Sequence, residues 1–140
     1  MGTTLEIASF VSAGREWVWT CYTSPEHIVN WNFASEDWQC PWATNELHPG
    51  GRYVARMEAR DGSMGFDLAA VYEEVRPGEG FTFILEDGRR VVFELTAEGA
   101  GTRVDIRFEA ENIHPLEMQR EGWQSILDRF TAYAGSIAPA

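Results

Sequence analysis

Between residues 52 and 110 the chain alternates apolar and polar positions in short runs, the period of strands with one buried face. Residues 52–60 set Tyr53, Ala55, Met57 and Ala59 against Arg52, Arg56, Glu58 and Arg60, with only Val54 out of phase. Residues 102–110 set Thr102, Val104, Ile106, Phe108 and Ala110 against Arg103, Asp105, Arg107 and Glu109. Residues 66–75, 81–86 and 89–96 read as further strands. Turn residues punctuate the series: His48-Pro49-Gly50-Gly51, Asp61-Gly62, Arg76-Pro77-Gly78, Asp87-Gly88 and Glu98-Gly99-Ala100-Gly101. The Asp-Gly pairs predict hairpins in which both central residues take positive φ. Short strands joined by tight turns make an antiparallel meander.

The two ends of the chain follow other periods. Residues 3–11 read as a strand with Leu5, Ile7 and Ser9 on one side and Glu6, Ala8 and Phe10 on the other. Residues 15–22, aromatic-rich and free of Gly and Pro, suit a short helix. Thr23-Ser24-Pro25-Glu26 starts a second one, with Ser24 as cap and Pro25 in the first turn, running to about Trp31. Residues 32–42 show no period and predict an irregular loop bearing Trp38 and Trp42. After Pro115 the apolar positions Trp123, Ile126, Leu127, Phe130, Ala134 and Ile137 form one stripe of a long helix. Gln119, Arg120, Glu121, Gln124, Asp128 and Arg129 form its wet face.

The fold class is therefore α+β: a curved antiparallel sheet covered by a long C-terminal helix, with two short helices after the first strand. Residues 1–140 read as one domain, since no repeat, linker or low-complexity tract interrupts them. Trp123, Leu127 and Phe130 should face the sheet. A sheet wrapped around a helix leaves room for an apolar cavity, the default ligand site. The candidate lining residues are Trp31, Tyr53, Met57, Phe66, Phe83, Trp123 and Leu127. The same side chains also read as the filling of a close-packed core. In a cavity, Tyr53 and the indole N–H groups would orient a polar end of the ligand.

Charge narrows the partners. Eleven basic against 22 acidic residues give a net charge of −11, which disfavours nucleic acid and anionic membranes. The first residues lack a basic leader and a long apolar run, and the only cysteines are Cys21 and Cys40, so a cytoplasmic protein with free thiols is expected. No cofactor motif is present: Pro49-Gly50-Gly51 joins strand to strand, not strand to helix. Cys21, His27, Cys40 and His48 lack the close pairs of a zinc site. No catalytic constellation is readable. Glu73 and Glu74, adjacent on a strand, should point to opposite faces. Asp67 and Glu94 are the carboxylates that register could turn inward, where burial would raise their pKa and suit acid–base work; facing water is the expectation.

Several strings, in order, resemble one family. They are Arg15-Glu16-Trp17-Val18-Trp19 followed by Thr23-Ser24-Pro25-Glu26 and Trp31, His48-Pro49-Gly50-Gly51-Arg52-Tyr53, Gly101-Thr102-Arg103-Val104, and Gln119-Arg120-Glu121-Gly122-Trp123 with Ile126-Leu127. Together they are similar to the START-like, birch-pollen-allergen-like (SRPBCC) superfamily, in the group related to the C-terminal domain of the heat-shock ATPase activator. The family's turn usually carries Arg where this chain has His48. The resemblance implies the helix-grip fold and an internal cavity for a small hydrophobic or amphipathic ligand. Two alternatives stand beside it: a cyclase- or hydratase-like enzyme using that cavity, or a chaperone-accessory interaction module. The activator docks on its chaperone through an additional N-terminal domain for which 140 residues leave no room, so the expectation is ligand binding.

Overall fold

The computed structural model describes residues 3–137. The elements follow in the order β1 (Thr4–Val11), α1 (Arg15–Thr23), α2 (Pro25–Ile28), β2 (Trp38–Gln39), β3 (Ala43–Asn45), β4 (Arg52–Ala59), β5 (Gly65–Arg76), β6 (Gly80–Leu85), β7 (Arg90–Glu98), β8 (Gly101–Glu109) and α3 (Leu116–Ser136). The strands form one antiparallel sheet ordered β1-β8-β7-β6-β5-β4-β2, with β3 also paired to β4. This is the helix-grip arrangement, with α3 lying across the curved sheet.

Alternation in sequence becomes alternation in burial. On β4 the inward residues Tyr53, Ala55, Met57 and Ala59 are buried, and on β8 so are Val104, Ile106 and Phe108. On α3, Leu127, Phe130 and Ala134 are sealed against the sheet. The helix also guards the margin of β1, which has a strand partner on one side only. There Gln124 Nε2 donates to the Ala8 carbonyl at 3.2 Å, and the Thr131 hydroxyl donates to Ser9 Oγ at 2.8 Å.

The sheet has two unlike ends. At the closed end, α1 and α2 plug the space between sheet and helix: Thr102 Oγ1 donates to the Ala13 carbonyl, and Trp17 Nε1 donates to Ala134 O near the end of α3. At the open end lie the turns 60–64 and 86–89, the end of β8 and the start of α3.

Five local expectations are corrected. Ser24 precedes α2, yet its hydroxyl makes no capping bond, and α2 stops at Ile28 rather than near Trp31. In the two Asp-Gly turns only Gly62 (φ 79°) and Gly88 (φ 92°) take positive φ. Asp61 and Asp87 stay in the ordinary region because each carboxylate accepts the backbone N–H two residues on, Ser63 and Arg89. A bulge between Tyr72 and Glu74 adds Glu73 to β5, so both carboxylates leave on the outer face. There Glu73 meets Arg90 at 2.9 Å and Glu74 meets Arg76 at 3.4 Å. Gln119, placed on the wet face by periodicity, is buried: its amide donates to Glu111 O and His114 O and accepts the Glu111 N–H. Three backbone groups after β8 need partners, and one side chain supplies them.

Candidate functional site

The grip is incomplete. Trp123 and Ile126 are only half-buried, and Met118 is 57% exposed, because the first half of α3 meets the sheet over β8 and β1, through Trp123 on Phe108 and Gln124 on Ala8, and covers it incompletely. The gap beneath is a cavity of about 260 Å³. Its wall is mostly apolar and includes Phe83 and Leu85 of β6, Met57 of β4, Ile106 of β8 and Leu127 of α3. A second, more open hollow of about 380 Å³ adjoins it and shares Met57, Phe66, Gln119, Trp123 and Ile126; Trp38 and Met118 form its outer lip.

All seven residues selected from the sequence border the inner cavity, in different ways. Met57, Phe83 and Leu127 are buried members of its apolar wall. Trp123 lies flat on Phe108, with ring centroids 4.1 Å apart. Phe66 is 49% exposed and stands at the rim beside Trp38. Trp31 is fully buried, edge-on to Phe130, and its indole N–H donates to the Cys21 carbonyl at 3.0 Å. That bond corrects one expectation, since the Trp31 N–H is committed and cannot orient a ligand. The Tyr53 hydroxyl accepts from Asn32 Nδ2 at 2.9 Å.

Residues the sequence did not single out complete the wall. Tyr22 and Asn32 stand at the closed end; Arg89, Glu111 and Gln119 stand at the mouth. Tyr22 was hidden in a short aromatic-rich helix with no clear stripe. Asn32 opened a stretch without a period. For Gln119 the available signal was its place one turn inside the helix, within reach of the preceding loop.

Burial and proximity govern the ionisable groups. Desolvation pushes the phenols of Tyr22, Tyr53 and Tyr72 well above their usual range, and negative charge on a neighbouring tyrosine would push Tyr22 and Tyr53 further. Burial also raises the Cys40 thiol to about 11, so it stays a protonated, inert group that donates to Trp42 O. Cys21, similarly raised to about 11, is its buried counterpart. At the mouth, hydrogen bonds from His114 hold the Glu111 carboxyl below its ordinary value. Asp67 and Glu94 face outward onto arginines: Asp67 on Arg56 at 3.2 Å, Glu94 on Arg107 at 3.3 Å. His27 bonds the Tyr133 hydroxyl at 2.7 Å, and His48 is exposed at its turn. Among the described residues no three His, Cys, Asp or Glu side chains gather as metal ligands, and no helix is long and apolar enough to cross a membrane. The arrangement is suited to holding an apolar molecule and offers it neutral hydrogen-bonding groups.

Residues 12–135 match the family model described as Activator of Hsp90 ATPase homolog 1-like protein. The AHSA1-like protein of Aeromonas hydrophila is 35% identical in solution structure, with a TM-score of 0.91 over 96% of this chain and 93% of that one. A Cytophaga hutchinsonii protein is 37% identical over 96% and 92% of the two chains, with a TM-score of 0.79. A Nitrosomonas europaea protein shares the fold at 19% identity and a TM-score of 0.81, over 93% and 92%. No curated protein matches.

Proposed function

The chain belongs to the Activator of Hsp90 ATPase homolog 1-like family, and on that premise we propose that it binds a small hydrophobic or amphipathic molecule in the cavity between sheet and α3. The observation that carries this reading is the hollow of about 260 Å³ in the middle of an aromatic-rich interior. Protein interiors are otherwise packed to crystal density, and a void of that size forfeits contacts unless something fills it. An apolar cavity of about 150 Å³ holds benzene, so this one suits a guest of roughly ten non-hydrogen atoms. Burial of the guest, at about 25 cal/mol per Å² of apolar surface before ordering costs, supplies the affinity.

The test pairs two measurements. Native mass spectrometry of freshly purified protein should show a bound small molecule. Leu68→Trp, which adds bulk at the cavity wall, should abolish binding of an apolar probe read by intrinsic Trp fluorescence while far-ultraviolet dichroism stays unchanged. A filled variant that binds as well as the natural chain overturns the reading.

A second reading, a chaperone-accessory module, draws on the family's description and on apolar side chains at the open end. Ile113 is 79% exposed, and Met118 and Phe66 stand nearby on the rim of the outer hollow. Monomeric surfaces seldom keep such clusters without use. Stimulation of an Hsp90-type ATPase that is lost on Met118→Glu would support it.

A further inference from the structure

We propose that the cavity selects neutral molecules carrying a hydrogen-bond acceptor such as a ketone, ester or ether, which the hydroxyls of Tyr22 and Tyr53 hold at the closed end. This rests on the ligand-binding reading above and names the class of ligand.

The argument begins with the Tyr22 ring. It lies between Phe93 and Trp31, whose centroids are 4.1 and 4.8 Å away and nearly parallel to it, and Phe130 meets it edge-on at 4.9 Å. With its faces covered, the surface it keeps is at the hydroxyl end, and Tyr22 borders the cavity. Among the described residues that hydroxyl makes no hydrogen bond, while the sealed-off polar side-chain atom lacking a partner is Arg129 Nε, elsewhere. The Tyr22 oxygen is therefore open to the cavity and unpartnered. Tyr53 stands next to the start of β4, at the same end. Its oxygen accepts from Asn32, which leaves its own O–H hydrogen without an acceptor among the described residues. Tyr72 differs: its hydroxyl donates to Asn45 Oδ1 at 2.8 Å, and Asn45 is itself tied to Thr23 O at 2.7 Å, so that group is spent. Two donors thus wait at the bottom of an apolar hole, and a buried donor left unmade is costly. A carbonyl oxygen, with two lone pairs, is the partner either hydroxyl lacks.

Charge decides between neutral and ionic guests. No Lys, Arg or His borders the closed half. The cation at the mouth, Arg89, is paired with Asp87 at 2.8 Å, and Glu111 stands on the same rim. An anion would pass a carboxylate and then lie buried without a counter-charge, which desolvation penalises heavily. Both phenols stay protonated, and therefore donors, across the ordinary pH range.

The test uses acetophenone, isopropylbenzene and benzoate, which share one size and differ in what they offer the phenols. Each is titrated by calorimetry into the natural protein and into the Tyr22→Phe/Tyr53→Phe variant. The ratio of isopropylbenzene Kd to acetophenone Kd should fall roughly tenfold in the variant, the worth of one to two hydrogen bonds. Isopropylbenzene should bind the variant at least as tightly, which also shows that the variant is folded around an intact cavity. Benzoate should bind the natural protein at least tenfold more weakly than acetophenone. An unchanged ratio, or benzoate binding as tightly as acetophenone, overturns the ligand class while leaving the cavity as a binding site. If none of the three binds, the class and the underlying function fall together.

Discussion

The two halves of α3 meet the same sheet in opposite ways. From Leu127 onward the helix is sealed: Leu127, Phe130 and Ala134 are buried, and its end is pinned by Trp17 and by the bond between His27 and Tyr133. Before Leu127 it covers the sheet only in part: Trp123 lies on Phe108 and Gln124 bonds Ala8, while Trp123 and Ile126 stay half-buried over a hollow and Met118 is mostly exposed. One amphipathic element thus serves two purposes: the far half supplies burial, and the near half leaves space. Stability and ligand binding should therefore separate along a single helix, and three perturbations test this.

The largest effect belongs to the far half. Phe130→Ala removes a fully buried ring in contact with Tyr22 and Trp31, and should cost about 3–5 kcal/mol in urea unfolding. Trp123→Ala removes a bigger side chain from the near half but should cost less, about 2 kcal/mol, because the ring is half-exposed and loses mainly its stack on Phe108. Probe binding should weaken in Trp123→Ala out of proportion to that loss. Equal destabilisation by the two variants would erase the distinction between the halves.

The smallest effect is a pH dependence confined to the mouth. Glu111 accepts the backbone N–H of Ile113 and of His114 and the His114 ring, and these bonds lower its pKa from an ordinary 4.5. The folded value lies below the unfolded one. Its contribution is therefore whole above about pH 4.5 and disappears as pH falls through the depressed value. Proton resonances of residues 111–114 should broaden or shift on acidification below that point, before those of Phe130. Glu111→Gln should remove the transition. A simultaneous change at Phe130 would mean that the two halves respond as one unit.

The parts legible in the sequence are those where one period governs many residues. The alternation in 52–60 and 102–110 became β4 and β8 because each side chain could be assigned to a face without knowing its neighbour. The stripe from Trp123 to Ala134 gave the orientation of α3 for the same reason. The parts that were hidden depend on a second segment. β2 is two residues long and exists only because Trp38 and Gln39 find Ala59 and Glu58 opposite them. Gln119 is polar in composition and buried in fact, because it serves backbone groups that periodicity does not count. Glu73 escaped the alternation through a bulge, which shifts the face of every later residue. In the candidate site, the seven chosen residues are apolar or aromatic inward positions, and hydropathy finds those. Tyr22 and Asn32 are set by how α1 and the loop after α2 close one end, a three-dimensional fact with no local signature.

The contacts of Gln124 and Thr131 with β1 carry a consequence for how α3 can move. A lone strand margin is adhesive, ready to recruit a foreign chain into a growing ladder. On the proposed reading the roof over the guest chamber is also the fender along that margin, so swinging the whole roof aside to load cargo would bare a surface prone to clumping. A doorway that left the fender in place would lie at the front eave, residues 116–122, where Met118 and Gly122 line the outer hollow.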